Sequence, residues 1–217
     1  MTPPAMTPPD GRRPLASRDA AWAKGLARRL AATAVTPNQI SWASVAAAAV
    51  AGAALWGAGH VGGLARAPLL VVAALGCQLR LVCNLLDGLV AVEAGKGTPD
   101  GAFWNEAPDR VSDALVLVGL GLGLGLPALA WAATSLAILT AYVRELGRSL
   151  GLPPDYRGPM AKPQRMAVIT GAALLSVPEP LWGGHGLVLH AALWIVALGG
   201  ALTAARRAAG IVAALRR

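Results

Sequence analysis

Charge is scarce in this sequence. Asp, Glu, Lys and Arg together make up 14% of its 217 residues, hydrophobic residues make up 55%, and the mean hydropathy is +0.54. A soluble domain carries about a quarter of its residues as charges, so this balance excludes an ordinary soluble fold and points to an integral membrane protein. Cysteine is equally sparse. Cys77 and Cys83 lie in an apolar stretch without CxxC spacing, which excludes a disulfide framework and a zinc site and leaves two buried thiols. The three histidines, His60, His185 and His190, lack metal-ligand spacing, and no role falls to them. No apolar run near the N-terminus is long enough for a signal-peptide core. The formal net charge of +8 would suggest nucleic acid as the partner of a soluble protein. Here Lys and Arg flank apolar runs, so membrane topology explains them and no nucleic-acid partner is expected.

What is present is a succession of apolar runs with short Gly and Pro breaks. Residues 1–16 repeat Met-Thr-Pro-Pro and read as a disordered tail. From Ser17, residues 17–35 place Trp22, Leu26 and Leu30 on one helical face and Lys24 and Arg28 on the other. That pattern suits either an amphipathic helix lying on an anionic membrane surface or a basic flank before a first span. Thr36-Pro37-Asn38 breaks the pattern. Residues 36–217 then read as an all-α membrane domain, a six-helix bundle with spans at about 40–59, 68–94, 105–126, 128–150, 165–182 and 187–210. Gly119, Gly121, Gly123 and Gly125 alternate with Leu, a pattern that suits close helix packing better than a strand, which lipid could not satisfy.

The loops orient the bundle. Arg12, Arg13, Arg18, Lys24, Arg28 and Arg29 precede the first span, Arg144, Arg148, Arg157, Lys162 and Arg165 lie between the fourth and fifth, and Arg206, Arg207, Arg216 and Arg217 follow the sixth. Only Arg66 lies between the first and second spans, and residues 178–186 carry no Lys or Arg. The positive-inside rule then puts both termini, and the stretch from Asn84 to Asp113, on the cytoplasmic side of the inner membrane.

That stretch holds six of the eleven acidic residues: Asp87, Glu93, Asp100, Glu106, Asp109 and Asp113. At 100° per residue Arg80, Asn84, Asp87, Gly88 and Ala91 share one helical face, and Asn105, Asp109 and Ser112 share a face of the next helix. Ionisable groups inside membrane spans are costly unless paired, hydrated or metal-bound, which marks them as functional candidates. Glu93, Asp100 and Glu106 also fit a solvated helix end. Asp87 and Asp109 do not, because each shares its face with an amide and with small residues that leave room for a ligand. Arg80 reaches the same cavity, either to pair with Asp87 or to meet a phosphate. Lys162 and Arg165 read equally well as topological charge and as contacts to an acceptor phosphate or lipid headgroup.

The run Asn84-x2-Asp87-Gly88-x2-Ala91-Val92-x8-Gly101-x3-Asn105-x3-Asp109 resembles the signature of the CDP-alcohol phosphotransferases, D-x2-D-G-x2-A-R-x8-G-x3-D-x3-D, and keeps every spacing. The Thr36-Pro37-Asn38 segment and the six-span layout are also similar to that family. Three positions depart from it: Asn84 and Asn105 stand where the family has its first and third acids, and Val92 where it has Arg. The double-Asn pattern is similar to a divergent bacterial branch. The resemblance implies transfer of a phosphatidyl or phosphoalcohol group from a CDP-linked donor such as CDP-diacylglycerol to an alcohol, with release of CMP. It implies Mg2+ or Mn2+ at Asp87, Asp109, Asn84 and Asn105, with Asp109 as general base. It also implies nucleotide contacts at Asn38, Gly88, Ala91 and Gly101, and a homodimer among membrane lipids. With two carboxylates in place of four, a second metal is poorly neutralised, and Glu106 or Asp113 would have to restore charge. A degenerate member that binds nucleotide or lipid without turnover, and a small transporter, remain competing readings. The transporter lacks support, because the acidic motif occurs once and the halves do not repeat.

Overall fold

The computed structural model describes residues 21–93 and 95–216, so the expected tail at 1–16 and the start of the 17–35 helix lie outside the described residues. The described chain is helical throughout, with seven α-helices: α1 (Ala21–Ala31), α2 (Pro37–Ala58), α3 (Ala67–Glu93), α4 (Gly101–Gly123), α5 (Pro127–Ser149), α6 (Lys162–Leu175) and α7 (Leu187–Leu215). Short 3-10 turns at Gly63–Arg66 and Glu179–Trp182 precede α3 and α7. By length and composition three helical stretches are apolar enough to cross a membrane: Pro37–Ala58, Gly63–Val92 and Leu187–Leu215. Large apolar side chains such as Leu75, Trp131, Trp194 and Leu198 point outward and are more than half exposed in the isolated chain, as a lipid-facing surface requires.

Local chemistry sets the helix ends. Thr36 caps α2: its hydroxyl accepts from the Gln39 N–H, the Gln39 side chain accepts from the Thr36 N–H, and Pro37 occupies the first turn. α4 ends at Gly123, and Gly125 turns the chain with φ +71°, which only glycine adopts at no steric cost. The stretch expected as one span at 165–182 is instead a 14-residue helix that stops at Leu175 and a 3-10 turn at Glu179–Trp182. Pro178 and Pro180 account for the difference, since neither can donate the backbone bond that a continuing helix needs. The last helix runs past the expected end at 210, to Leu215.

The centre of the bundle interleaves alanine with larger side chains such as Leu55, Leu70, Leu117, Leu120 and Leu193, and glycine marks where helices approach most closely. α2 packs along both α3 and α4. A Cβ on Gly52, Gly59 or Gly119 would collide with the backbone of the facing helix, at Leu115, Gly123 and Gly52 respectively, and one on Gly76 of α3 would press less severely on Ala47 and Ala51 of α2. The alternating glycines of α4 therefore serve close helix approach. Against α3, α1 turns its buried Ala23 and Ala27, while Trp22 and Leu26 face outward.

Contacts also fix the two ends of the bundle. At one end the first residue of α6, Lys162, reaches Asp109 of α4. At the other, Glu179, beyond the end of α6, pairs with Arg66 at 3.6 Å and accepts the Val188 N–H at 3.2 Å. The chain from 162 to 179 thus runs from one end to the other.

Candidate active site

The acidic face of α3 and the start of α4 meet as the sequence pattern requires, at the end of the bundle where α2 and α6 begin. Pro108, inside α4, has no N–H to give the Trp104 carbonyl, so the helical ladder is one bond short immediately before Asp109. Asp87 and Asp109 are each about 95% buried.

Their surroundings differ. Asp87 is held by neutral donors, the Ser41 hydroxyl of α2 at 2.8 Å and the Gly88 N–H at 2.6 Å. No Lys or Arg lies within ion-pair distance of it among the described residues. Asp109 is crowded by positive charge. One of its oxygens accepts from the Asn84 amide nitrogen at 2.5 Å and the other from Lys162 Nζ, while Arg80 and Arg110 come within 3.8 and 3.6 Å. Arg80 also donates to the Asp109 carbonyl.

Behind Asp109 lies a sealed ionic cluster. Asp113, fully buried, takes Arg80 at 2.7 Å on one oxygen and Arg165 at 2.5 Å on the other. Arg165 also donates to the Met160 carbonyl, and the Ser44 hydroxyl donates to the Arg80 carbonyl. So Arg80 finds Asp113 rather than Asp87, and Arg165 faces the protein interior. Asp113 is spent on these two guanidinium groups, and Glu106 goes to Arg144 at 2.6 Å and Arg110 at 3.4 Å. Neither acid joins Asp87.

The remaining expected residues are placed as follows. Asn84, Gly88 and Ala91 are half-buried along one face of α3, and a Cβ built on Gly88 would meet nothing within 4 Å. Helix packing therefore does not explain Gly88; open space beside Asp87 does. Asn38 sits half-buried in the first turn of α2, one turn before Ser41. Gly101 opens α4 beside Thr98, and Asn105 is exposed one turn before Asp109. The loop between α3 and α4 is tied down by Lys96, whose ammonium donates to the Thr33 and Val35 carbonyls.

Sequence reasoning missed Ser41, Arg110 and the anchoring of residues 157–161. Ser41 follows Asn38 by three positions, a helical spacing that carried the signal. The anchoring has none: Thr203 of α7 accepts the Met160 N–H, Arg207 donates to the Arg157 and Thr140 carbonyls, and Gly158, at φ +128°, lies flat on Thr203. These contacts aim Lys162 at Asp109. All three histidines line a cavity of about 390 Å3 at the opposite end of the bundle, beside Arg66, which sequence spacing did not foreshadow.

The donor set decides how many cations fit. Oxygen ligands suit Mg2+ or Mn2+, and Asp87, with the Asn84 amide oxygen left over from its bond to Asp109, offers them without a nearby cation. At an effective dielectric near 20, unit charges 4 Å apart interact by about 4 kcal/mol. Asp113 offsets Arg80 and Glu106 offsets Arg110, so the Lys162 ammonium in contact with Asp109 is the charge that opposes a dication there. The residues present thus offer oxygen donors for a divalent ion at Asp87 and Asn84, whereas the carboxylate of Asp109 is already engaged by an ammonium. Among the described residues no three His, Cys, Asp or Glu side chains converge as a ready-made metal site, so a bound substrate would have to complete the coordination.

No protein-family model matches the chain. The chain is 30% identical over 196 residues to the phosphatidylinositol phosphate synthase of Mycobacteroides abscessus, covering 84% of this chain and 80% of that protein. Its fold is similar to the Mycobacterium tuberculosis phosphatidylinositol phosphate synthase solved with CDP-DAG bound, with a TM-score of 0.71, 23% identity and coverage of 88% of this chain and 94% of that one. The same enzyme solved with manganese and citrate also gives 0.71, at 21% identity, covering 87% of this chain and 88% of that one.

Proposed function

Because this chain belongs to the CDP-alcohol phosphotransferase family, we propose that it transfers the phosphatidyl group of CDP-diacylglycerol to an alcohol and releases CMP. The observation that carries the reading is the Asn84–Asp87–Asp109–Lys162 group beside the open space at Gly88. It combines a carboxylate free of cations, a carboxylate held in place, and room for a nucleotide.

In this reaction the acceptor hydroxyl attacks the lipid-bearing phosphorus. Its new P–O bond forms as the bond to CMP breaks, and its proton passes to a base. A divalent cation held by Asp87 and Asn84 would supply charge to the pyrophosphate. Ser41 and the Gly88 N–H fix the Asp87 carboxylate. Asp109, positioned by Asn84, is the carboxylate we assign to the proton. Gly88, Ala91 and Gly101 leave the face of α3 and the start of α4 open to the nucleotide, and Asn38 borders it from α2. Lys162 lies close enough to share the phosphate charge, whereas Arg80 and Arg165 act through Asp113 as scaffold.

The acceptor we assign is a phosphorylated alcohol of the inositol phosphate class, the acceptor implied by the name of the M. abscessus relative. Arg157, on the loop before α6, is exposed at the same end of the bundle and suits that phosphate. We further assign α2–α7 as six membrane passages, with α6 and its following turn completing the fifth, and α1 as an interfacial helix. Both termini and the site then lie on the cytoplasmic side of the inner membrane. A homodimer would use part of the outward apolar surface.

Purified protein incubated with CDP-diacylglycerol, Mg2+ and a panel of alcohols that includes inositol phosphate should release CMP, fastest with the phosphorylated polyol. Binding of CDP-diacylglycerol without CMP release from any acceptor would instead establish a non-catalytic binder.

A further inference from the structure

The two carboxylates of the site are not equivalent, and the difference lies in what the protein itself supplies to each. Asp109 has a protein donor on both oxygens: the Asn84 amide on one and the Lys162 ammonium on the other, with two guanidinium groups just beyond. An Asp at 84 could not make the first contact, because two carboxylates at that separation need a cation between them; the amide removes that need. Lys162 is held in place from behind. The chain before it is stitched to α7 through Thr203 and Arg207, and one helical turn later Arg165 is locked onto Asp113. Lys162 itself is only partly buried, so it borders the open part of the site.

We propose that Lys162 stands in for a second divalent cation at Asp109, so that the site takes a single divalent ion, at Asp87 and Asn84. A fixed ammonium supplies its charge permanently and at any metal concentration, and it makes carboxylates at positions 84 and 105 unnecessary. Asn84 and Lys162 thus hold the two oxygens of Asp109 between them. The inference rests on the reading of this site as a phosphotransferase centre, but it concerns metal count and not turnover.

The test counts Mn2+ on the full chain in nanodiscs containing CDP-diacylglycerol, by electron paramagnetic resonance, with CMP release followed in parallel. The parent protein should hold one Mn2+ per chain with no metal–metal coupling, and Lys162→Arg should do the same. The triple variant Asn84→Asp, Asn105→Asp, Lys162→Met should hold two, with the coupled signal of a pair. Two coupled ions in the parent, none at all, or one in a folded triple variant would each overturn the proposal. If the triple variant does not fold, Lys162→Met alone decides. Loss of the ammonium that borders the open part of the site should tighten the single Mn2+ by about tenfold or more, and an unchanged affinity counts against the idea. One ion without CMP release would refute the proposed activity and leave this inference standing; two ions with CMP release would do the reverse.

Discussion

Gly88 and Ser41 show how single residues shape the site. Gly88 has open space where its Cβ would be, next to the carboxylate that binds no protein cation. Gly88→Val should leave a folded, detergent-soluble protein whose affinity for a CDP compound, measured by calorimetry, falls more than about tenfold. Unchanged affinity would show that the space is not used by nucleotide. Ser41 donates to a buried carboxylate, a bond worth about 1.5–3 kcal/mol to the fold, so Ser41→Ala should lower the melting temperature by a few degrees and also lower kcat/KM for CMP release, by roughly ten- to a hundredfold. Asp113 belongs to stability. Asp113→Ala would strand Arg80 and Arg165 in the interior, at a cost of about 3–5 kcal/mol seen as a large drop in thermal midpoint. Retention of the parent midpoint would mean that the two guanidinium groups find other partners.

Helices meet here through absent side chains, and this sets the element-scale expectations. α2 and α4 touch backbone to backbone at Gly52 and Gly119, so Gly119→Val should destabilise the bundle by about 1–3 kcal/mol, whereas Val at the loosely packed Gly171 should not, as thermal unfolding in one detergent would show. The connection between α5 and α6 carries a pH signature. The Arg157 side chain and N–H both donate to Asp155 and hold its carboxyl below the usual carboxylate range. A folded value below the unfolded one makes the contribution fully present above about pH 4 and lost as the pH falls through the folded value. Hydrogen exchange over residues 152–161 should therefore be slower in the parent than in Asp155→Asn at pH 6, with the difference shrinking as the pH falls below the usual carboxylate range. A difference that persists at low pH would place the restraint elsewhere, on Thr203 and Arg207.

At the scale of the whole molecule, the two ends of the bundle are chemically different. One gathers Asp87, Asp109, Lys162 and most of the loop cations; the other is tied by Arg66 and Glu179. In oriented vesicles a cysteine placed at Arg148 and one placed at Trp182 should label from opposite faces, while the buried Cys77 and Cys83 stay silent. Labelling of both from one face would break the assignment of α6 and its turn as a membrane passage. The membrane class, the helical fold and the candidate acidic faces of α3 and α4 were legible along the chain, because apolar runs of bilayer length and carboxylates at helical spacing are local patterns. The division of labour among the ions was not. Arg80 meets an acid 33 residues away, Lys162 one 53 away and Arg165 one 52 away. Whether a charge serves a phosphate or a neighbouring carboxylate depends on which helices pack side by side. Only the packing of α3, α4 and α6 made Asp113 a scaffold, left Asp87 without a cation and placed an ammonium on Asp109.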